Sequence, residues 1–312
     1  MIFEGTEKMK NSRARKQVPL MAMALLWVLI PSASAVTFET HYIGGDAPAN
    51  SAGGGNLPEI VNAAARIWES AYSDPLVIHL YYGWADVGDA GTHMLQQSDF
   101  LDREISGMIL FDNSGAVQFY LDPTPNSNEE YRRRTEEYQD LGGGFINVAR
   151  LFSSPVNEAS GRVDLLSVAL HEIGHALGLS SGNTRFLRQS ADGLLVLSSA
   201  PGTVIPLACN NSGVVPHFDP QEVLYGPVMS GTNGDERRIP SELDVLANAQ
   251  VSGFTIAALD PWQASLGTLS KTRALAGART GGTDSRARPG NRAAVHSVST
   301  APLQPRLSGA SQ

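Results

Sequence analysis

The chain has 312 residues, and 42% of them are apolar, which is enough for an ordinary buried core. Residues 36–264 contain 28 acidic and 11 basic side chains and no lysine, so this part has a net formal charge of −17. A surface of this sign argues against nucleic acid as a partner, and it is compatible with a soluble extracellular protein that binds structural Ca²⁺.

The N-terminal residues have the pattern of a signal peptide. Five basic residues within 8–16 precede an apolar run over 18–30, and the small residues 33–35 follow it. This pattern predicts secretion, with cleavage after Ala35. The run is 13 residues long, whereas about 20 are needed to span a bilayer, so we expect no stable membrane insertion.

The C-terminal residues 265–312 are rich in Ala, Gly, Ser, Arg and Pro, with seven basic residues, one acidic residue and no aromatic residue. Such a composition predicts a flexible basic tail. The chain between the two ends, 36–264, is expected to form one domain. Its only cysteine, Cys209, excludes an internal disulfide and is expected to be a small buried apolar residue.

The first predicted elements alternate between helix and strand. Apolar residues at helical spacing predict a helix over 58–72, and a β-branched and aromatic run predicts a strand over 75–84. That strand contains His79, which we expect to be an ordinary strand residue and not a metal ligand. Further strands are predicted at 107–111 and 117–121, joined by a turn at 112–115.

The next segments carry charge and turn signals. In 128–138, two glutamates precede two arginines by four residues, which predicts a solvated helical face. A second helix is predicted to begin at Val163 or Asp164, since its apolar residues recur at spacings of three and four. An insert over 182–216 has the pattern of a hairpin with its turn at 191–193. A last capped helix is predicted to begin near Ser241 and to end at Gly253.

The second predicted helix carries the sequence LHEIGHALGLSS over 170–181. On a helix, His171 and His175 are four residues apart and can direct their imidazoles at one zinc ion. Glu172 is turned slightly aside and can act as a general base towards water. With 7 His and 15 Glu in the chain, this motif would occur by chance in fewer than about one shuffled sequence in a hundred.

A catalytic zinc needs three protein ligands and one open position, so a third ligand must come from elsewhere in the chain. One downstream histidine within 36–264 remains, His217. Carboxylates are the alternatives: Glu222 or Glu242 in a glutamate-type site, and Asp219 in an aspartate-type site.

The motif extended to Gly178, HExxHxxG, resembles the metzincin clan of zinc endopeptidases, and HEIGHALGL is similar to its matrixin-like and leishmanolysin-like members. Most of the clan has its third histidine three residues after the glycine, where this chain has Ser181, a poor ligand. Leishmanolysin-like members have an insert before that histidine, so the resemblance implies His217. It also implies a methionine turn beneath the metal, which YGPVMSG supplies at Met229.

The resemblance implies an α+β fold. Its parts would be a twisted, mostly parallel sheet, an active-site helix, and a small irregular C-terminal subdomain with the methionine turn and a closing helix. We therefore expect a secreted, monomeric, Zn²⁺-dependent endopeptidase that cleaves proteins or peptides, with Glu172 as general base and His171, His175 and His217 as ligands. The alternative is a secreted zinc-containing binding or adhesion module without catalysis, against which the presence of Glu172 argues.

Overall fold

The computed structural model describes residues 35–280 except 212, 224–225 and 232–233, and it describes side chains as far as residue 270. The predicted signal peptide, apart from Ala35, and residues 281–312 of the predicted tail lie outside the described residues. Within the described part the chain is α+β with parallel and antiparallel strand pairs, as the sequence predicts for its class. No helix in this part is long and apolar enough to cross a membrane.

The main sheet has four strands in the order β1 (Thr37–Gly44), β2 (Val77–Ala85), β4 (Glu104–Asp112) and β3 (Gly91–Ser98). The pairs β1–β2 and β2–β4 are parallel, and β3 is antiparallel to β4 at one edge. The strands predicted at 75–84 and 107–111 are confirmed. Side chains of β2 alternate between buried and exposed up to Tyr82, because one face of the sheet covers the core and the other faces solvent.

Two helices cover the buried face of this sheet: α1 (Leu57–Glu69) contacts β1, and α2 (Leu165–Ala176) contacts β3 and β4. Both were predicted and both are confirmed. The side chain of Asp164 caps α2 by accepting a hydrogen bond from the Ser167 N–H. The buried Trp68 Nε1 donates to the Leu170 carbonyl over 2.9 Å, which fixes α1 against the helix that carries the motif.

A second sheet consists of β7 (Phe145–Pro155) between β6 (Tyr131–Asp140) and β12 (Arg237–Ile239). The prediction of a helical face over 128–138 is wrong, because β6 pairs with β7 over almost its whole length. The four-residue charge spacing is a local pattern. The backbone hydrogen bonds of this segment are instead made with an antiparallel strand further along the chain, which the local pattern does not contain.

The short strand β5 (Phe119–Tyr120) pairs in parallel with β8 (Val163–Asp164), so it does not fold back on β4 as the predicted turn implied. Near this pair the buried Arg237 donates to two buried carboxylates, Asp122 over 2.6 Å and Asp164 over 2.8 Å. Since Asp164 also caps α2, this charge cluster determines where the motif helix begins.

The insert folds as α3 (Thr184–Gln189), β9 (Leu194–Val196), β10 (Val204–Asn210) and β11 (Gly213–Phe218), with the strands in the order β11–β10–β9. The first arm of the predicted hairpin is therefore wrong. It forms a helix because the Asn183 side chain accepts from two N–H groups of its first turn. The second arm pairs with β10, and β11 continues towards the motif helix.

The expectation that Cys209 is buried is also wrong, since the cysteine is exposed. The buried residues Ile205 and Leu207 alternate along β10, but the register with β11 shifts between Leu207 and Cys209. A bulge of this kind breaks the alternation of side chains between the two faces, which composition cannot reveal.

The last helix of the domain, α4 (Glu242–Ser252), is confirmed with its predicted capping box between Ser241 and Asp244, and it ends at Gly253 with φ 71°. The chain separates into two compact units, one ending at Ser265 and the other beginning at Leu266. The helix α5 (Pro261–Thr280) continues into residues that were expected to be flexible. Ala, Leu, Lys and Arg favour a helix locally even where composition supplies little core.

Candidate metal centre

Two histidines of the motif lie on one buried face of α2. The side chains of His171 and His175 are 6% and 8% exposed, and their Nε2 atoms are 3.0 Å apart. Their separation of four residues places them one above the other on the helix, as the sequence predicts. Both rings therefore face the same point at the bottom of a cleft.

The strand β11 brings His217 to this point. Its Nε2 lies 3.1 Å from Nε2 of His171 and 3.3 Å from Nε2 of His175. The three nitrogen atoms form a group that could hold one metal ion. The structure thus brings together all three histidines singled out in the sequence, and their binding of a metal stays a prediction.

The rival ligands lie elsewhere among the described residues. The Glu242 carboxylate accepts a hydrogen bond from the Asn147 N–H over 3.2 Å, and the Asp219 carboxylate accepts from the Gln221 N–H over 2.8 Å. Glu222 is exposed. Ser181 lines the cleft.

Backbone carbonyls fix the other nitrogen of two of these rings. Nδ1 of His171 donates to the Val228 carbonyl over 2.7 Å, and Nδ1 of His175 donates to the Leu179 carbonyl. Because a carbonyl oxygen can only accept, each Nδ1 must carry the proton, and each Nε2 is left with a lone pair. Such outer hydrogen bonds orient the imidazoles of metal sites and set their tautomer.

Burial keeps the three imidazoles neutral. It lowers the pKa of His171 to about 3, with a further contribution from His217, and it lowers the pKa values of His175 and His217 as well. The Nε2 lone pairs of His171 and His175 converge with Nε2 of His217, and such a group of neutral imidazole nitrogens suits a metal cation. Tetrahedral zinc with Zn–N distances of about 2.0–2.1 Å separates its ligands by about 3.3 Å. The observed separations of 3.0–3.3 Å therefore fit zinc.

Met229 lies buried in a 3-10 turn, Val228–Ser230, that packs against α2. A Cβ atom at Gly174 would overlap the Sδ atom of Met229, so the glycine inside the motif permits this close approach. Sequence reasoning singled out Met229 but missed Gly174. The sequence between the two histidines does not indicate which residues pack against it in the folded chain.

The turn is attached to α4 through one carboxylate. Asp244 accepts hydrogen bonds from the N–H groups of Val228, over 3.2 Å, and Met229, over 3.0 Å. The same residue completes the capping box with Ser241. A chain of contacts therefore runs from the start of α4 through the Val228 carbonyl to His171, and Asp244 is a positioning residue that sequence analysis identified only as a helix cap.

The helix α2 ends at Ala176 with Leu177 as its C-cap, and Gly178 then adopts φ 144°, a conformation that other residues rarely adopt. A Cβ atom there would also overlap the hydroxyl of Ser252 on α4. The chain therefore turns sharply at Gly178, directly after the motif helix. This break lets the carbonyl of Leu179 return to His175, so the break contributes directly to the orientation of that ring.

Glu172 lines the same cleft as the three histidines, and its side chain is 4% exposed. The cleft has a volume of about 380 Å³, and residues 89–93 form one of its walls. Burial and then the nearby charge of Asp89 raise the pKa of Glu172 to about 8 in the metal-free protein. A Cβ atom at Gly91 would press against the Glu172 carboxylate, so this glycine leaves room for the acid.

A buried pair of residues beside the site was missed by sequence reasoning. His93 on β3 lines the cleft, and its Nε2 lies 2.9 Å from Oε1 of Glu104, with both side chains at most 2% exposed. The His93 ring is 6.2 Å from that of His175. Burial raises the pKa of Glu104. A single histidine in an edge strand forms no recognisable sequence motif. Only the pairing of β3 with β4 brings His93 next to Glu104.

Compared with known proteins, the chain matches no family model, no curated protein and no solved structure.

Proposed function

We propose that the chain is a secreted zinc-dependent endopeptidase of metzincin-like architecture. The observation that carries this proposal is the convergence of three neutral imidazole nitrogens in a cleft that also contains a buried glutamate. A structural zinc site would need a fourth protein ligand and would have no use for Glu172. Among the described residues no fourth His, Cys, Asp or Glu belongs to the converging group.

In the proposed hydrolysis the zinc ion and the side chains of the protein have different roles. When bound to the three histidines, zinc supplies a Lewis acid that polarises the scissile carbonyl and makes a water molecule more acidic. The Glu172 carboxylate accepts a proton from the attacking water and later transfers it to the leaving amine. Its burial excludes competing solvent from this carboxylate, and the helix holds it one residue from a ligand.

The cleft offers a place for an extended polypeptide. In the main sheet β3 is an edge strand, which pairs only with β4 among the described strands. Residues 91–93 of this strand line the cleft, so a substrate strand added to the free edge would pass along the histidines. Addition of a strand to a sheet edge binds the main chain of a peptide whatever its side chains. This supports an endopeptidase acting on proteins or peptides.

The test is hydrolysis of casein or gelatin by the purified chain, with and without a chelator, in wild type and in Glu172→Gln. We expect the variant to keep its zinc content and to lose about 10²–10⁴-fold in kcat, the usual contribution of a general base. Glu69→Gln is the matched control, since Glu69 lies on α1 and its Oε1 accepts from the Phe38 N–H. It should keep wild-type activity.

Two outcomes would contradict the proposal. Undiminished hydrolysis by Glu172→Gln would exclude that residue as the base. A zinc-loaded wild-type chain that hydrolyses no protein would favour the alternative, a secreted zinc-containing binding or adhesion module.

A further inference from the structure

A second group of metal-ligating side chains lies on the solvent face of the main sheet. In the parallel pair β1–β2, Glu39 is directly opposite His79, and His41 is two residues further along β1. Residues two apart on a strand point to the same face. The register of the two strands therefore places one carboxylate and two imidazoles side by side.

The geometry of these three side chains is close to that of a metal site. Nδ1 of His79 is 3.1 Å from Oε2 of Glu39, and one ligand atom from each of the three residues lies within 4.8 Å of the others. The His41 ring stacks on the rings of His79 and Tyr81, with centroids 5.9 Å and 4.9 Å apart. Bound zinc separates its ligand atoms by about 3.3 Å. The contact between His79 and Glu39 is already near this spacing, and a rotation of the exposed His41 side chain would add the third ligand.

This group is separate from the cleft. Ile78 and Leu80, the neighbours of His79 on β2, are buried on the face that the helices cover, whereas His79 points the other way. The sheet therefore stands between His79 and the helix α2. A change on the solvent face can be made without touching the three histidines of the cleft.

We propose that Glu39, His41 and His79 bind a second divalent transition-metal ion, which revises the expectation from the sequence that His79 is not a metal ligand. Two imidazoles and one carboxylate form a donor set that suits zinc and its neighbours in the first transition row. With side chains 47% and 59% exposed at His79 and Glu39, water completes the coordination. The net charge of −17 over residues 36–264 attracts cations to this surface.

The bound ion would join the edge strand β1 to β2. Among the described strands β1 pairs only with β2, and the single cysteine of the chain excludes an internal disulfide that could fasten it. An ion that binds the folded chain and not the unfolded chain stabilises the fold by mass action. This inference does not depend on the peptidase function, because it concerns a different face and a different set of side chains.

The test is zinc binding to the full chain without a polyhistidine tag. The metal-free protein is titrated with Zn²⁺ by calorimetry and equilibrium dialysis, and we expect two equivalents in wild type and one in His41→Ala/His79→Ala. Tyr81→Phe is the matched control, because it keeps the ring beside His41 and removes no ligand; it should keep two equivalents. The double variant should keep its hydrolytic activity, whereas His171→Ala/His175→Ala should keep only the second equivalent.

One equivalent in both wild type and the double variant would overturn the proposal and leave Glu39 and His79 as an ion pair alone. A second measurement covers the case in which the double variant folds poorly. In wild type, Zn²⁺ should protect His41 and His79 from modification by diethyl pyrocarbonate, with each site read by peptide mass spectrometry. Equal modification of both residues with and without Zn²⁺ would also contradict the second site.

Discussion

The two histidine clusters of this chain differ in how much of their geometry is fixed before an ion binds. In the cleft cluster, His171, His175 and His217, the ligand atoms are 3.0–3.3 Å apart. In the open cluster on the main sheet, Glu39, His41 and His79, the two imidazole ring centroids are 5.9 Å apart, whereas those of the cleft cluster are 4.6–5.1 Å apart. Burial and backbone hydrogen bonds hold the first arrangement, while solvent surrounds much of the second.

The difference shows what a preorganised site requires beyond the right residue types. Two rings of the cleft cluster are oriented by carbonyls, and the turn that carries one of these carbonyls is itself held by Asp244. In the part of the chain that the structure describes, the His79 ring contacts the Glu39 carboxylate and the His41 ring stacks on Tyr81, and no backbone hydrogen bond orients either ring. We therefore expect the cleft cluster to bind zinc more tightly than the open cluster, since an ordered site loses less conformational entropy on binding.

The largest effect is expected from His217→Ala. Removal of an outer partner of a zinc ligand alone costs about 10–100-fold in affinity, so loss of a ligand should cost more than about 100-fold. Zinc affinity of the cleft cluster can be measured by competition with a chelating dye. His41→Ala is the control on the open cluster and should leave this tight binding unchanged. Tight zinc binding that survives in His217→Ala would place the third ligand elsewhere.

The next effect concerns Asp244, which links α4 to the turn behind His171. Asp244→Ala leaves the buried N–H groups of Val228 and Met229 without their acceptor, and each such loss costs about 1–3 kcal/mol in the free energy of unfolding. We also expect about 10–100-fold weaker zinc binding at the cleft. Urea titration measures the free energy of unfolding, and competition with a chelating dye measures the zinc affinity.

A control separates this positioning role from a general loss of stability. Asn56→Ala removes the cap of a different helix, α1, and should cost about 1 kcal/mol in the free energy of unfolding without any change in zinc affinity. Equal zinc affinities of Asp244→Ala and wild type would show that the cap does not position the metal ligands.

A smaller effect is expected from Gly174→Ala. The added Cβ atom would overlap Sδ of Met229, and overpacking of a core usually costs about 1–3 kcal/mol, against a helix-propensity gain of about 1 kcal/mol. The free energy of unfolding should therefore fall. Gly267→Ala is the matched control, since a Cβ atom there meets no neighbouring atom within 4 Å, and it should leave stability equal or higher. An unchanged free energy of unfolding in Gly174→Ala would show that the turn with Met229 can shift to accommodate the added Cβ atom at little cost.

The smallest effect concerns pH and the buried pair behind the cleft. Burial raises the pKa of Glu104 above its ordinary value of 4.5, so the folded chain holds this proton to higher pH than the unfolded chain does. The resulting stabilisation is fully present below pH 4.5 and is lost as pH rises through the raised pKa. Glu104→Gln cannot titrate, and it should remove this contribution.

The measurement is the free energy of unfolding of metal-free wild type and Glu104→Gln from acid to neutral pH. The free energy of unfolding of wild type minus that of Glu104→Gln should be largest at low pH and should fall as pH rises. A difference that is independent of pH would show that the pKa of Glu104 is the same in the folded and unfolded chain.

Local patterns predicted much of the fold and part of the site. The helices α1, α2 and α4 and the strands β2 and β4 follow from hydrophobic spacing and from caps such as Asp164 and Ser241. The strand β6 and the helix α3 did not follow. In the first case pairing with β7 prevails over a helical charge pattern, and in the second the cap at Asn183 outweighs an apparent strand.

The sequence by itself determined the short-range parts of the site. The helical period places His175 one turn beyond His171 on the same face, with Glu172 next to His171, and Gly178 supplies the break that follows. These relations depend on spacings of a few residues, which a helix converts directly into distances.

Tertiary structure alone decided the rest. His217 is 42 residues from His175, and it reaches the cleft only because β11 pairs with β10. The His93–Glu104 pair and the open cluster depend in the same way on the register between strands. Long-range pairing is selected by the packing of the whole core, so no local spacing contains it.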